Sequence, residues 1–509
     1  MKFIVLLMVF CCAVVGTAGE QKNLGQSSVT QWRPFLEWSV ENSSFTGNGF
    51  DIVASVIFIH QQTDERIISE MFYAGGNIWK FRFTATKTGD WKFSTASDDS
   101  ELNGWTGTIT AVPNPDPNVH GFITNYGNKW AWQGTNEVFV PQIVMYDKPS
   151  FYYNRPEKID RDIQTFIIDH GFSGFHTGLG CFWFDINEPA SDKIQTPNPD
   201  FRTFEALELL ITKVHMAGSM VHIWAWGDES RRQTPARWGI NGPQDKRLQR
   251  YIAARLGPLP GWSMGYGFDC EEWVTGDELK NWHEFMQSRF GYKHFLGARD
   301  PNPNNSNDPL TQLCEQLDYS GYEHHRPTYD DYVRAFSVRT EKPVFSEDRF
   351  RIRLNSRYRQ KDYTEELTRR GLYHSTLAGG CANIWGNLVP ESTPGWGSQA
   401  YPHPEWFKTY ALFFKHRFLA DMVPDNRITN GLCLKCPDNK SFIFYKENMS
   451  FIEIDLSVIS SPLPAVAVDT KKAYQQIRFD TIAPGRHIWQ APYESDWAIA
   501  VGIFPKTTD

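Results

Sequence analysis

Residues 204–226 read FEALELLITKVHMAGSMVHIWAW. Phe204–Ala217 has the apolar spacing of a helix, and Met220–Trp226 is an apolar run of strand length. The pairing recurs through the middle of the chain. Eight such runs occur: Val138–Tyr146, Gly174–Leu179, Met220–Trp226, Ser263–Phe268, His294–Ala298, Asp318–Gly321, Pro343–Ser346 and Ala382–Trp385. Helical stretches such as Gly276–Arg289 lie between most of them. Eight strand–helix units in about 300 residues predict an α/β fold, a (β/α)8 TIM barrel. Runs this apolar suit a parallel sheet buried on both faces. A doubly wound sheet is the rival, but it brings a Gly-rich phosphate turn after its first strand, and the sequence shows none.

The flanks differ. In residues 20–118, Trp79, Phe81 and Phe83 alternate with Lys80 and Arg82, and Trp91 and Phe93 follow the Thr88–Gly89–Asp90 turn. With Asp51–His60 and Trp105–Val112, these period-two stretches predict an N-terminal β-sandwich. The Pro113–Asn–Pro–Asp–Pro117 stretch marks its end, so the barrel is placed at 119–424. Residues 425–509 return to alternation at Ser441–Tyr445, Ser450–Leu456, Ala465–Asp469 and Trp497–Ile503, predicting a C-terminal β-sandwich domain.

The chain has 509 residues, 41% hydrophobic and 15% aromatic, which excludes a disordered protein. A net charge of −8 argues against nucleic-acid binding. Residues 1–19 combine one lysine, an apolar run and small residues, the form of a cleaved signal peptide, so a secreted, extracellular protein with no membrane association after cleavage is expected. Six cysteines then remain, too sparse for a disulfide scaffold, although Cys433 and Cys436 are spaced for a local bridge. Sequons at Asn42, Asn304, Asn439 and Asn448 fit a glycoprotein.

In such a barrel the chemistry sits at the C-terminal strand ends. Gly267–Phe–Asp–Cys–Glu–Glu–Trp273 follows the fourth run, and Lys342–Pro–Val–Phe–Ser–Glu–Asp348 carries the seventh. Both put carboxylates on that rim. Glycoside hydrolysis needs two opposed carboxylates, one protonated to release the leaving oxygen and one ionised to attack.

The order of these carboxylates is similar to clan A glycoside hydrolases. The layout also resembles a family with an N-terminal β-sandwich, an apiosidase-like barrel and a C-terminal collagen-binding-type β domain. The matching stretches are Trp79–Lys–Phe–Arg–Phe83, Gly89–Asp–Trp91, Met422–Val–Pro–Asp–Asn426 and Asp496–Trp–Ala–Ile–Ala500. The resemblance implies Glu272 as acid/base and Glu347 as nucleophile of a retaining enzyme, with no cofactor. Clan A usually has Asn before the acid/base, whereas this chain has Glu271, which is itself open to the acid role. A carboxylate salt-bridged to Arg349 or Arg351 is the alternative for Glu347. The resemblance further implies Trp385 as a sugar platform, Tyr322 in preference to Tyr319 as a hydrogen-bond donor to the nucleophile, and His176 where an Arg is common. Trp224 and Trp226 end the third run and Asp228 follows it as sugar-binding candidates; core packing is the rival reading for the tryptophans, and an alternative catalytic carboxylate the rival for Asp228. Asp269, Arg299 and Asp300 are weaker candidates of that kind, and Trp183, Trp273 and Trp396 are candidate stacking surfaces.

Other chemistries find little support. Adjacent histidines in Glu323–His324–His325 point apart on a strand, and His283–Glu284 lacks a second His at helical spacing, so no metal site is expected. Neither a Gly-x-Ser-x-Gly elbow nor a P-loop is visible. The expected partner is an oligo- or polysaccharide. A non-catalytic carbohydrate- or matrix-binding protein on the same scaffold, or a transglycosylase, remains an alternative.

Overall fold

The computed structural model of the chain describes residues 22–300, 315–322, 328–338, 340–352, 364–390 and 400–505. The expected signal peptide, Asn304, Glu323–His325 and Trp396 lie outside the described residues, as do the side chains of Asp300, Arg349 and Arg351.

All eight runs overlap parallel strands of one sheet. In chain order these are Gln142–Met145, Gly174–Gly178, Met220–Trp224, Trp262–Gly265, Phe295–Gly297 with Arg299–Asp300, Ser320–Tyr322, Val344–Ile352 and Ala382–Pro390. The eighth strand pairs with the first, Ile384 opposite Ile143. The fifth is interrupted at Ala298. Its first half pairs with the fourth strand and its second half with the sixth, which makes a nearly closed eight-stranded barrel. Helices Phe201–Met216, Pro243–Leu256, Gly276–Arg289, Tyr329–Val338, Glu365–Leu377 and Pro404–Phe414 lie between or after the strands. Helix Gly276–Arg289 shows why these segments start where they do. Thr275 accepts from the Glu278 amide, and Glu278 returns the bond to the Thr275 amide.

Side chains alternate across each strand, so every second residue fills the barrel. At the N-terminal end that filling is apolar: Ile143, Met220, Phe295, Phe345, Ala382 and Ile384 form one buried cluster. A small sheet of Ile123–Tyr126, Lys129–Trp132 and Val138–Phe139 precedes the first strand. Its Trp130 plugs this end, 4.8 Å from the Phe295 ring and 5.1 Å from Tyr319 between centroids.

The N-terminal region is two packed antiparallel-rich sheets. Five strands run in the order 23–30, 106–112, 89–97, 54–60 and 66–70, and three in the order 36–41, 78–83 and 72–73. Trp38, Phe58, Phe81 and Phe93 meet between them. Lys80 and Arg82 form the polar face of this strand, yet Arg82 is buried. The polar face of its strand is turned to the barrel, where Arg82 pairs with Glu37 and with Glu208 of helix Phe201–Met216, and Arg255 joins the same Glu208.

The C-terminal region differs from the expected sandwich. Its described residues form a single six-stranded antiparallel sheet. The strands Ser441–Asp455 and Arg486–Gly502 are long enough to bend, with register shifts between Lys446 and Phe451, so one sheet encloses its own core. Cys433 and Cys436 are buried free thiols, and among the described cysteines none is bridged. Asn42 is fully buried and donates to Asp99, so that sequon is closed to a glycan.

A cluster of ion pairs, centred on Asp496, joins the C-terminal sheet to the barrel. Asp496 accepts from Arg369 at 2.6 Å, from Arg370 at 3.0 Å and from the Asn448 amide at 2.8 Å. The Arg369 and Asp496 side chains are both fully buried. Removing one member of such a pair strands the other charge, at a cost of about 3–5 kcal/mol. Asp496→Ala is therefore expected to lower the unfolding free energy of this part of the molecule by that amount, read as a lower urea midpoint. An unchanged midpoint would contradict the role assigned to the pair.

Candidate active site

The seventh strand carries Phe345 and Glu347 inward. Phe345 joins the apolar plug, and Glu347 lies two residues nearer the C-terminal end, fully buried. A carboxylate here displaces hydrocarbon, and the neighbours make room. A Cβ at Gly321 would stand 2.7 Å from Glu347 Oε1, and one at Gly265 would stand 3.3 Å from Oε2 and 2.9 Å from the Trp224 ring. Neither position tolerates a side chain in this arrangement.

Three groups address the carboxylate. Trp224, at the end of the third strand, donates its indole N–H to Oε2 at 2.5 Å. The Tyr319 hydroxyl and the Arg299 charge act on it as well. Burial pushes the Glu347 carboxyl up to about 7, and Trp224, Tyr319 and Arg299 each pull against that rise. Arg299 is itself paired with Asp269, which sits in a left-handed turn after the fourth strand.

Behind Tyr319 runs a buried chain of rings. His222 Nε2 lies 2.9 Å from the Tyr319 hydroxyl, and His222 Nδ1 lies 2.9 Å from His176 Nδ1. Burial pushes the His222 imidazole down to about 3, so it stays neutral and carries one proton. If that proton is on Nε2, His222 donates to the tyrosine oxygen and accepts from His176, which frees the phenol proton for Glu347. His176 thus belongs to the support of the site, two residues removed from the carboxylate.

A cleft of about 210 Å³ opens beside this group. It lies over the C-terminal ends of the first four strands, walled by Met145, His176, Gly178, Trp224, Trp226 and Phe268, among others. Trp224 therefore borders both the cleft and Glu347. After the fourth strand, Cys270–Glu272 forms one short turn that carries the two adjacent glutamates. Glu272 is exposed, while Glu271 is partly buried with Oε2 enclosed.

Several sequence candidates sit elsewhere. Tyr322 is an odd number of residues from Tyr319 and faces the opposite way, packed with Tyr332, Phe336 and Cys381 outside the strands. Tyr319, not Tyr322, faces the nucleophile candidate. Trp385 likewise alternates with the inward Ile384. It is fully buried against the helical layer with its N–H on Gln142 Oε1 at 2.7 Å, so it offers no platform. Trp183 is a core residue bonded to the Ala225 carbonyl. Asp228 caps the next turn through the Ser230 amide at 2.7 Å and pairs with Arg231 at 3.3 Å. Trp226 does line the cleft. Trp273 stacks on Tyr266, 5.3 Å between centroids. His283 is engaged by Asp318 at 3.0 Å. Among the described residues no cluster of His, Cys, Asp or Glu is arranged to hold a metal. Sequence reasoning missed His222 altogether. Its strand parity with Trp224 was the available signal.

Comparison with known proteins bears on the fold. Residues 28–98 match a family described as a domain of unknown function, DUF5060. No curated protein matches the sequence. A solved structure from Bacteroides vulgatus ATCC 8482, assigned as a glycoside hydrolase, superposes with a TM-score of 0.71 at 16% identity, covering 94% of this chain and 99% of its own. A glycoside hydrolase family 5 structure from the same organism gives 0.54 at 13% identity, covering 76% of this chain and 93% of its own. At these identities the likeness shows a shared architecture, a barrel with β domains of the kind found in glycoside hydrolases.

The Glu347 environment sets a pH dependence. Its folded carboxyl is raised from 4.5 to about 7, so the native state holds an extra proton in that window and loses stability as pH climbs through it. Glu347→Gln removes this term. Between pH 5 and pH 8 the variant should gain roughly 2–3 kcal/mol on the wild type in unfolding free energy. A constant difference across that range would refute the burial argument.

Proposed function

We propose that the chain is a secreted retaining glycoside hydrolase acting on an oligo- or polysaccharide. The observation that carries the proposal is Glu347, a buried acidic group inside the barrel near the C-terminal strand ends, hydrogen-bonded by Trp224, which also lines a cleft. Glycoside hydrolase architecture in the structural neighbours supports the reading. Secretion rests on the leader-like residues 1–19, and the apiosidase-like and collagen-binding-type kinship rests on the short motifs quoted above.

In this mechanism a Glu347 oxygen bonds to the anomeric carbon as the glycosidic C–O bond breaks. A second carboxylic acid gives its proton to the leaving oxygen, then takes one from the water that attacks the anomeric carbon and releases the sugar from Glu347. The acid is drawn from Glu271 and Glu272. Of the two, Glu271 is partly buried and Glu272 exposed, and we take Glu271 as the donor ahead of the Glu272 that the family resemblance implies.

Hydrolysis of aryl glycosides and polysaccharides tests this. Glu347→Gln should lose at least about 10³-fold in kcat. Glu271→Gln should lose about 10²–10⁴-fold on substrates with poor leaving groups and far less on activated aryl glycosides. Glu272→Gln should stay near wild type, and the reverse order would return the acid role to Glu272. The first-formed product should keep its anomeric configuration by NMR. Because Glu347 must be ionised to attack, kcat/KM should rise with pH through about 7. Tyr319→Phe should move that limb upward. Identical behaviour of wild type and Glu347→Gln on every substrate would leave a binding protein on this scaffold.

A further inference from the structure

The charge in the cleft runs opposite to that of the chain. The protein carries a net charge of −8. Among the described residues, no Asp or Glu lines the cleft, and its charged side chains are Lys148 and Arg231. Lys148 follows the first strand, with its ammonium 5.6 Å from the centroid of Phe182 and 5.8 Å from that of Phe151. The rings position the stem, and the side chain is exposed with no ion pair among the described residues. Arg231 contacts Asp228 through Nε at 3.3 Å, which leaves the rest of its five-donor fork for a ligand. The same cleft is walled by the buried rings of Phe182, Trp224, Trp226 and Phe268.

We propose that this cleft is the subsite for an anionic sugar, a uronic acid or a sulfated residue, whose charged group is held by Lys148 and Arg231 while its ring lies on the aromatic wall. The proposal rests on the hydrolase reading for its place in catalysis, because Trp224 forms part of the wall and also donates to Glu347. Aromatic faces suit the C–H face of a pyranose and are indifferent to its charge. The two cations supply the discrimination. A neutral sugar would leave them solvated but unused, whereas a carboxylate or sulfate gains charge-assisted hydrogen bonds. Exposed charges are screened by salt, so the preference should weaken as ionic strength rises.

The full chain should be assayed on acidic polysaccharides beside their neutralised counterparts. Polygalacturonate and alginate would run against their carboxyl-reduced forms, and sulfated galactans against desulfated ones. The expected result is a preference of at least tenfold in kcat/KM for one acidic form. That acid-over-neutral ratio should drop tenfold or more in Lys148→Ala and in Arg231→Ala, and by half or more in high salt. Which pair shows the preference identifies carboxylate or sulfate. Equal rates on both members of every pair, or a ratio unchanged in both variants, overturns the subsite and leaves the hydrolase reading intact. If nothing is cleaved, affinity electrophoresis in the same polysaccharides decides. Retardation by an acidic form alone, lost in Lys148→Ala, keeps the anionic subsite while the hydrolase reading falls. No selective retardation removes both.

Discussion

A closed parallel barrel has an interior that must be filled, and only alternate residues of each strand are available to fill it. Here the N-terminal half of that interior is hydrocarbon and aromatic, sealed by Trp130. The other half departs from that pattern at Glu347. A carboxyl group in this position is costly in its charged form, and the surrounding sequence is arranged around that cost. Glycines at 265 and 321 clear the volume, Trp224 supplies a hydrogen bond, and Arg299 supplies a charge that is itself balanced by Asp269. The result is an acidic group whose burial and hydrogen bonds oppose each other, and whose carboxyl is left raised to about 7.

The flanking sheets are tied to the barrel by polar contacts that exclude water. Arg82, Glu208 and Arg255 join the N-terminal sheets to the helical layer, and Arg369 with Asp496 joins the C-terminal sheet. Buried pairs of this kind contribute little net stability but fix one geometry, since any other docking would leave a charge unpaired. Docking of this kind holds the helical layer, and with it the strands that carry the site.

The eight barrel runs were legible in the sequence because strands buried on both faces are apolar throughout. That same property hid which residues point inward. Tyr319 and Tyr322, or Ile384 and Trp385, differ only in parity, and an unbroken apolar run carries no parity signal. Glu347 was found from its motif, not from its environment. The adjacent glutamates 271 and 272 could not be separated because a short turn, not a helix or strand, sets their directions. Arg82 shows the opposite failure. A clean alternation suggested a wet face, and only the docking of the barrel made it dry. The C-terminal sheet read as a sandwich because one long bent sheet has the same alternation as two short ones.

The glycines that clear space for Glu347 have a consequence for divergence. Structures with this architecture share as little as 13–16% of their residues with this chain. Most positions in such a fold drift, since a lost methyl group in one place is compensated by a gained one in another. Gly265 and Gly321 have little part in that exchange, because the atom a substitution would add meets the Trp224 ring or the Ala298 carbonyl as well as a carboxylate oxygen. Across distant kin that keep a carboxylate here, the absence of a side chain at these two strand positions should persist after the surrounding core has been rewritten.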